Sequence, residues 1–118
     1  MSGLTSYHAG LAAEGVVETH YVRNGHVVVD RRWRGSAGEI DLVVRDGDGL
    51  IFIEIKKSRD FARAAERLSL RQMRRIYATA SEFLAGEPDG QDTNVRFDVA
   101  LMNNMGQIQV IENAFGLS

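Results

Sequence analysis

Apolar and polar residues alternate along two neighbouring segments of the chain, which are separated by a short stretch of aspartate and glycine. The segments run from residue 39 to 45 and from residue 50 to 56, on either side of Asp46-Gly47-Asp48-Gly49. Alternation with a period of two is typical of β-strands, and aspartate with glycine favours a tight turn. The pattern therefore predicts a β-hairpin with a four-residue loop, across which Arg45 pairs with Leu50.

The two faces of this predicted hairpin differ in polarity. One face carries six aliphatic residues: Ile40, Leu42, Val44, Ile51, Ile53 and Ile55. A slip of one residue would expose this face to solvent, so the apolar face fixes the register. In that register Asp41 lies directly opposite Glu54 on the other face. Glu39 and Lys56 form the next pair on the same face.

The pairing of Asp41 with Glu54 places like charges opposite each other, and such charges repel and destabilise the pair. A hard divalent cation offsets this, because Mg²⁺ is usually held by one or two carboxylates together with water and phosphate oxygens. Lys56 follows Glu54 by two residues on the same face, where an ammonium group suits an attacking water or charge developing on a phosphate. The three residues together indicate phosphodiester hydrolysis.

A solvated charged face is the alternative interpretation of the same residues. Glu39 and Lys56 would then form a surface ion pair that contributes little to stability. Val43, Leu50 and Phe52 also lie on that face, however, so the acids are expected at the end of a half-buried surface rather than a fully solvated one.

Helical periodicity and turn residues predict the remaining elements. These are a helix from residue 5 or 6 to residues 24–25, a strand over residues 26–33, a helix over about residues 61–84, and strands over residues 94–102 and 107–111. The long helix connects the third strand to the fourth, so these two strands are expected to be parallel. Its predicted core stripe comprises Leu70, Met73, Tyr77, Ala80 and Leu84.

Glu14 falls on one face of the first predicted helix, together with Gly10, Val17 and Tyr21. A buried acid without partners is costly, so Glu14 is expected either to serve a metal site or to lie near the rim of the sheet. An ordinary glutamate that faces solvent is the alternative.

Basic residues are concentrated in one part of a chain whose formal net charge is −2. Eight of the 14 lysine and arginine residues fall between Lys56 and Arg75. Within the second predicted helix, four arginines follow one another at intervals of four, four and three residues: Arg63, Arg67, Arg71 and Arg74. Because like charges at this spacing repel, a stripe that faces phosphates is favoured over a solvated face.

Composition restricts the class of protein further. A chain of 118 residues suits one domain, residues 1–118, with a core of its own. The absence of cysteine excludes disulfides, thiolate metal sites and cysteine nucleophiles, and it fits a reducing cytoplasm. The sequence shows no basic segment followed by an apolar run and no stretch near about twenty apolar residues, so we expect a cytoplasmic protein without membrane contact.

Five stretches, in order and over nearly the whole length, resemble the YraN-type family of small bacterial proteins. They are residues 10–14, Gly38-Glu39-Ile40-Asp41-Leu42-Val43, Ile53-Glu54-Ile55-Lys56, Arg96-Phe97-Asp98-Val99 and Ile111-Glu112-Asn113-Ala114-Phe115. That family is itself similar to the archaeal Holliday-junction resolvases and the wider PD-(D/E)xK nuclease superfamily. The chain departs from the family at Lys57-Ser58, where the family usually continues with Thr-Arg.

The resemblance implies a restriction-endonuclease-like α/β fold with an α-β-β-β-α-β core, and we expect a mixed five-stranded sheet flanked by helices. It implies that Asp41 and Glu54 are ligands of Mg²⁺ or Mn²⁺. It also implies that Lys56 is the catalytic lysine and Glu14 an accessory acid. Contacts with DNA are predicted at six basic residues: Arg34, Lys57, Arg63, Arg67, Arg71 and Arg74.

The resulting hypothesis is a Mg²⁺- or Mn²⁺-dependent endonuclease that acts on DNA, in particular branched or structured DNA, as a monomer or a homodimer. One rival is a nucleic-acid-binding module with the same fold and little or no turnover. Another is a protein-interaction domain that uses a sheet edge or the C-terminal Ala114-Phe115, and it leaves the carboxylate pair unexplained. Superfamily membership by itself does not establish catalysis.

Overall fold

The computed structural model describes residues 2–115, with side chains described from Ala13 onward. Its helices are α1 (Ser2–Arg23), α2 (Phe61–Glu66) and α3 (Leu70–Leu84), and its strands are β1 (Val27–Arg34), β2 (Glu39–Asp46), β3 (Gly49–Lys57), β4 (Val95–Met102) and β5 (Ile108–Ile111). A short 3-10 turn, Gly90–Asp92, precedes β4. Across these described residues, none of the helices combines the length and apolarity needed to cross a bilayer.

The five strands form one mixed sheet in the order β1-β2-β3-β4-β5. β1, β2 and β3 are antiparallel neighbours, β4 runs parallel to β3, and β5 returns antiparallel to β4. The chain passes from β3 to β4 through α2 and α3, as the expected parallel crossover requires. This element order confirms the predicted α/β class and is compatible with a restriction-endonuclease-like core.

The β2–β3 hairpin has the predicted register, with Arg45 opposite Leu50. Four residues of its predicted apolar face are buried in the cluster that contains α1 residues: Leu42, Val44, Ile51 and Ile53. Ile40 is an exception, because it packs in the opposite cluster with Val43 and Phe52. It lies beyond the last residues of β2 that pair with β3, although it still pairs with Trp33 of β1.

The turn of this hairpin is shorter than predicted. Asp46 pairs with Gly49, which leaves Gly47-Asp48 as a two-residue turn. Gly47 has a φ of +59°, at the position where a type II′ turn requires glycine. Gly49 is needed for a different reason, since a Cβ at this position would collide with the carbonyl oxygen of Asn94.

The helix α1 ends at Arg23 as predicted, and Gly25 follows with a φ of +89°, a conformation that commonly terminates helices. The prediction that the helix begins at residue 5 or 6 is wrong, because the helical backbone extends back to Ser2. Val17 and Tyr21 face the sheet and are buried. Gly10, predicted on the same face, lies outside the residues whose surroundings are described.

The prediction of one helix over residues 61–84 is wrong, because the structure has two helices separated at Arg67-Leu68-Ser69. The Ser69 hydroxyl caps α3 by accepting a hydrogen bond from the Gln72 amide at 3.1 Å. Asp60 caps α2 in the same way through the Arg63 amide. A serine that bonds the backbone three residues ahead favours a new helix start over continuation of the preceding helix.

This break changes which residues of the second helical segment face the core. The buried residues of α3 are Ile76, Thr79, Ala80 and Leu84. Leu70, a predicted core residue, is 62% exposed, because it is the first residue of α3 beside the break. Met73 and Tyr77 are partly buried against the main cluster.

The face of the sheet opposite α1 packs against α2 and α3. Its core includes an aromatic group in which Phe97 contacts Phe52, Tyr77 and Phe115, with ring centroids 5.5, 4.7 and 5.4 Å apart. Phe115 is buried. Phe115 therefore contributes to the core, and Ala114 packs partly buried against it.

Candidate active site

Asp41 and Glu54 lie where β2 and β3 part. The regular pairing of the two strands ends one pair before these acids. The Ile55 amide donates a hydrogen bond to Oδ2 of Asp41 at 2.8 Å, so a side chain rather than the β2 backbone accepts this bond. β3 continues beside β4 past this point. The acids therefore occupy an opening in the sheet while β3 remains held on its other side.

Lys56 pairs with Glu54 rather than with Glu39. Nζ of Lys56 lies 3.3 Å from Oε1 of Glu54, and the two side chains are 14% and 12% exposed. Glu39 instead pairs with Arg34, with Nη2 and Oε2 3.2 Å apart. The predicted Glu39–Lys56 pair is wrong because the strands separate before reaching it. A fully solvated charged face does not describe Glu54 or Lys56.

Burial governs the protonation of the acid pair. Burial is the largest influence raising the pKa of Glu54 to about 7; the charge of Asp41 adds to it and Lys56 opposes it. Burial also raises the pKa of Asp41, although the hydrogen bond from the Ile55 amide lowers it. The two carboxyl groups therefore favour sharing a proton over carrying two charges.

The pair offers the oxygen ligands that a hard divalent cation requires. Among the described side chains, those of residues 13–115, no group of three or more histidine, aspartate or glutamate residues is placed to hold a metal ion. Mg²⁺ is nonetheless commonly held by one or two carboxylates, with water and substrate oxygens completing its coordination. A cation would also favour the ionised form of both carboxyl groups, against the burial that raises their pKa values. The chemistry of Asp41 and Glu54 therefore fits Mg²⁺ or Mn²⁺.

Glu14 lies near the acid pair, where its charge raises the pKa of Asp41, but its carboxylate is bound by Arg32. Nε of Arg32 donates to both carboxylate oxygens, at 2.9 and 3.0 Å. One turn further along α1, Glu18 pairs with Arg31. Arg32 has a φ of +49°, which residues other than glycine rarely adopt. Two successive arginines of β1 thus reach α1, and Glu14 lies at the rim of the sheet.

Asp41 lines a cleft on each face of the sheet. In the first, which we call the α1 cleft, it is joined by Glu14, Gly15, Glu18, Arg31, Leu42 and Ile55. In the second, the α3 cleft, it is joined by Gly38, Glu39, Glu54, Gln72, Arg75 and Ile76. The acid pair as a whole is therefore reached from the α3 cleft, since Glu54 lines that cleft and not the other.

The break between α2 and α3 divides the predicted basic stripe. Arg63 lies on α2 and Arg67 ends it, whereas Arg71 and Arg74 lie on α3. The prediction of one continuous stripe is therefore wrong, because its four residues belong to two helices. All four residues are exposed.

Three of the six residues predicted to contact DNA interact within the protein. Arg34 pairs with Glu39, Arg63 pairs with Asp60, and Arg67 donates to the Lys57 carbonyl oxygen, at 3.2, 3.5 and 2.8 Å. The Lys57 side chain itself is exposed. These interactions orient the side chains without removing them from the surface.

Arg75 is absent from the residues predicted to bind DNA, although it lines the α3 cleft. It precedes the buried Ile76 and lies four residues before the buried Thr79, so it borders the core face of α3. Counting helical turns from the cap at Ser69, rather than from residue 61, would have placed Arg75 on the sheet side.

A buried network surrounds Asp98, and the residue pattern does not predict it. Asp98 is fully buried and accepts hydrogen bonds from the guanidinium of Arg96, the Tyr21 hydroxyl and the Asn113 amide. The signal in the sequence is a pair of opposite charges two residues apart in an otherwise apolar strand. Asp98 lines neither cleft, so its contribution is structural.

Comparison with known proteins assigns most of the chain to one group. The family model described as uncharacterised protein family UPF0102 matches residues 13–102, a range that includes the acid pair and Lys56. A UPF0102 protein of Ruegeria pomeroyi is 57% identical over 114 residues, which cover 97% of this chain and 93% of the relative. A UPF0102 protein of Cereibacter sphaeroides strain KD131 is 61% identical, over 98% of this chain and 98% of the relative. One of Roseobacter denitrificans is 51% identical, over 96% of this chain and 88% of the relative. These similarities confirm the YraN-type resemblance.

Proposed function

The chain belongs to the UPF0102 family, and we propose that it is a nuclease that uses Mg²⁺ or Mn²⁺ to hydrolyse phosphodiester bonds in DNA. The observation that carries the proposal is the convergence of Asp41, Glu54 and Lys56 at an opening in the sheet that borders a cleft. Two carboxylates with an adjacent ammonium group form a set of charges suited to a metal ion and a phosphate.

The electrostatics of the acid pair support a site for a cation. Two carboxyl groups in one half-buried position cost stability whenever both are ionised. A purely structural position would be more stable with one acid replaced by a neutral residue, so the arrangement suggests a ligand that requires both. A divalent cation meets that requirement.

Each residue of the site has a distinct part in the proposed reaction. Asp41 and Glu54 would hold the metal ion, and the bound metal would supply an activated water and neutralise charge on the phosphate. The Ile55 amide fixes the Asp41 carboxylate. Lys56 orients Glu54 and would donate a hydrogen bond to a nonbridging phosphate oxygen as negative charge develops there.

DNA is proposed as the substrate because of the exposed arginines on α3 and the resemblance to Holliday-junction resolvases. Arginines at a protein surface bind the phosphate backbone independently of base sequence. Contacts of this kind favour recognition by shape, so branched or structured DNA is the proposed target. A nucleic-acid-binding module without turnover is the alternative, and a cleavage assay distinguishes the two.

We predict that Glu54→Gln and Lys56→Ala each abolish Mn²⁺-dependent cleavage while DNA binding changes by no more than a few-fold. These variants alter the charge at the reacting phosphate and leave contacts along the backbone intact. Cleavage is measured on four-way-junction, flapped and linear DNA, and binding is measured by fluorescence anisotropy. Glu66→Gln is the matched control, because Glu66 is exposed on α2 and lines neither cleft.

Equal cleavage by wild type and both variants would indicate a contaminating nuclease and contradict the proposal. Binding by wild type without cleavage would favour the binding module. Metal binding provides an independent readout: with Mn²⁺ at about ten times its dissociation constant, wild type should gain roughly 1.4 kcal/mol of stability and Asp41→Asn should gain little. If the stability of wild type does not increase with Mn²⁺, the proposal of a metal site is contradicted.

A further inference from the structure

We infer that Arg75 forms a phosphate-binding site in the α3 cleft, through which a phosphodiester of the substrate reaches Asp41 and Glu54. The inference rests on the proposed function, since it identifies a residue that would hold that substrate. Its ligand is a pair of nonbridging phosphate oxygens, which a planar guanidinium binds through two parallel hydrogen bonds.

Close packing against the loop before β2 holds Arg75 in the α3 cleft. A Cβ added to Gly38 would lie 2.9 Å from Cδ and 3.0 Å from Cγ of Arg75. The aliphatic stem of Arg75 therefore lies directly on the Gly38 backbone, an approach that a larger residue would prevent. This packing restricts the positions of the guanidinium and so reduces the entropy lost when it binds a phosphate.

Arg75 differs from the arginines of β1 because it has no acidic partner among the side chains that the structure describes. Arg31 and Arg32 are paired with Glu18 and Glu14 of α1. Among the ion pairs of the described side chains, residues 13–115, none involves Arg75. Its charge is therefore available to an anion from outside the protein.

The α1 cleft is less suited to an anionic substrate. Glu14, Glu18 and Asp41 line it together with Arg31, and Arg31 is already paired with Glu18. An approaching phosphate would therefore find the one cation that lines this cleft already neutralised by a carboxylate.

The α3 cleft is lined by as many carboxyl groups, those of Glu39, Asp41 and Glu54, so the two clefts differ in the state of their cation and not in the number of their acids. Glu39 at its edge is paired with Arg34, and Glu54 is paired with Lys56. Arg75, the cation that lines this cleft, belongs to none of the ion pairs among the described side chains. The cleft has a volume of about 250 Å³, which can accommodate a phosphodiester group. A phosphate bound to Arg75 would therefore lie next to the acids on the side from which both can be reached.

The test compares Arg75→Ala with Arg23→Ala in DNA binding without metal. Arg23 lies nine residues beyond Glu14 on α1, about 13 Å further along the helix, and each variant removes one positive charge. A labelled four-way junction is titrated in EDTA at several salt concentrations. Arg75→Ala should weaken binding about tenfold and reduce the salt slope of log Kd by about one unit, whereas Arg23→Ala should change affinity by less than about twofold.

Gly38→Ala provides a second variant that keeps every charge. The added Cβ would displace the Arg75 stem, so affinity should fall by several-fold although the net charge is unchanged. Combining Gly38→Ala with Arg75→Ala should weaken binding by much less than the product of the two single effects. Circular dichroism and thermal melts establish that each variant is folded.

Equal affinity and salt slope for folded Arg75→Ala and Arg23→Ala would overturn the inference, as would independent effects in the double variant. The proposed function is judged separately, by Mn²⁺-dependent cleavage. If wild type binds DNA through Arg75 but does not cleave it, the phosphate-binding site is supported and the proposed nuclease activity is contradicted. If Arg75→Ala changes neither cleavage nor binding, the proposed nuclease activity stands and the phosphate-binding site at Arg75 is refuted.

Discussion

At the scale of single residues, the protonation of Glu54 determines what the acid pair can bind. Lys56 lies 3.3 Å from Glu54 and lowers its pKa, yet burial and the charge of Asp41 raise the pKa to about 7. Burial and one like charge thus outweigh the adjacent ammonium group. Below about pH 7 Glu54 therefore retains its proton, and binding of a divalent cation would release it.

We predict that the metal-free protein loses stability as the pH rises from about 5 to about 8. Glu54 ionises near pH 4.5 in the unfolded chain and near pH 7 in the folded protein, so the folded state retains a proton that the unfolded chain has released. The free energy of unfolding should therefore decrease by on the order of 2 kcal/mol and then level off. Glu54→Gln should show a smaller decrease. Urea unfolding in EDTA measures both proteins, and parallel pH profiles would contradict the prediction.

The meeting of Asp41, Glu54 and Lys56 could be predicted because strand alternation and one register determine which side chains share a face. The pairing of Glu14 with Arg32 could not be predicted in this way. It depends on a left-handed φ at Arg32 and on the packing of α1 across β1. Arginine has no intrinsic preference for positive φ, so the local sequence contains no signal for this contact.

At the scale of elements, the start of α3 determines where Arg75 points. Ser69 and Gln72 form a capping pattern that is visible in the sequence. The regular spacing of arginines across the break obscures it, because continuous helical spacing suggests one long helix. Helix propensity is a weak local preference, and a serine cap together with core packing outweighs it. Counted from its cap, α3 places Ile76 in the core and Arg75 at the cleft.

Replacing the cap of α3 should destabilise the protein measurably. We predict that Ser69→Ala costs about 1 kcal/mol, because the Gln72 amide loses its acceptor, and that Ser69→Asp retains the stability of wild type. Ser81→Ala, at an exposed position inside α3, is the control and should cost nothing, since alanine is the better helix former. Thermal melts should separate Ser69→Ala from the control by roughly 4 °C. Indistinguishable melting temperatures would show that the cap does not stabilise α3.

At the scale of the whole molecule, Asp98 connects parts of the chain that are far apart in sequence. Its carboxylate accepts hydrogen bonds from Tyr21 of α1 at 2.7 Å, from Arg96 at 2.9 and 3.0 Å, and from the Asn113 amide at 2.9 Å. Burial and the hydrogen bond to Asp98 raise the pKa of Tyr21, so its hydroxyl remains a donor. One buried carboxylate therefore couples α1, the sheet and the turn that follows β5.

The element order and the sheet could be predicted, but this network could not. Tyr21 and Asp98 are 77 residues apart, and local periodicity contains no information about contacts at that separation. Alternation along β4 does place Arg96 and Asp98 on one face, but it does not identify their partners in other elements.

We predict that Asp98→Asn lowers the free energy of unfolding by about 3 kcal/mol, because the half-buried Arg96 guanidinium keeps its charge after its carboxylate partner is lost. Tyr21→Phe removes one hydrogen bond and leaves the ion pair, so it should cost about 1 kcal/mol. Asp48→Asn in the exposed hairpin turn is the matched control and should change stability by less than about 0.5 kcal/mol. Urea unfolding followed by circular dichroism and Trp33 fluorescence measures all three. If Asp98→Asn is as stable as Asp48→Asn, the coupling of α1 to the sheet arises from apolar packing and not from this network.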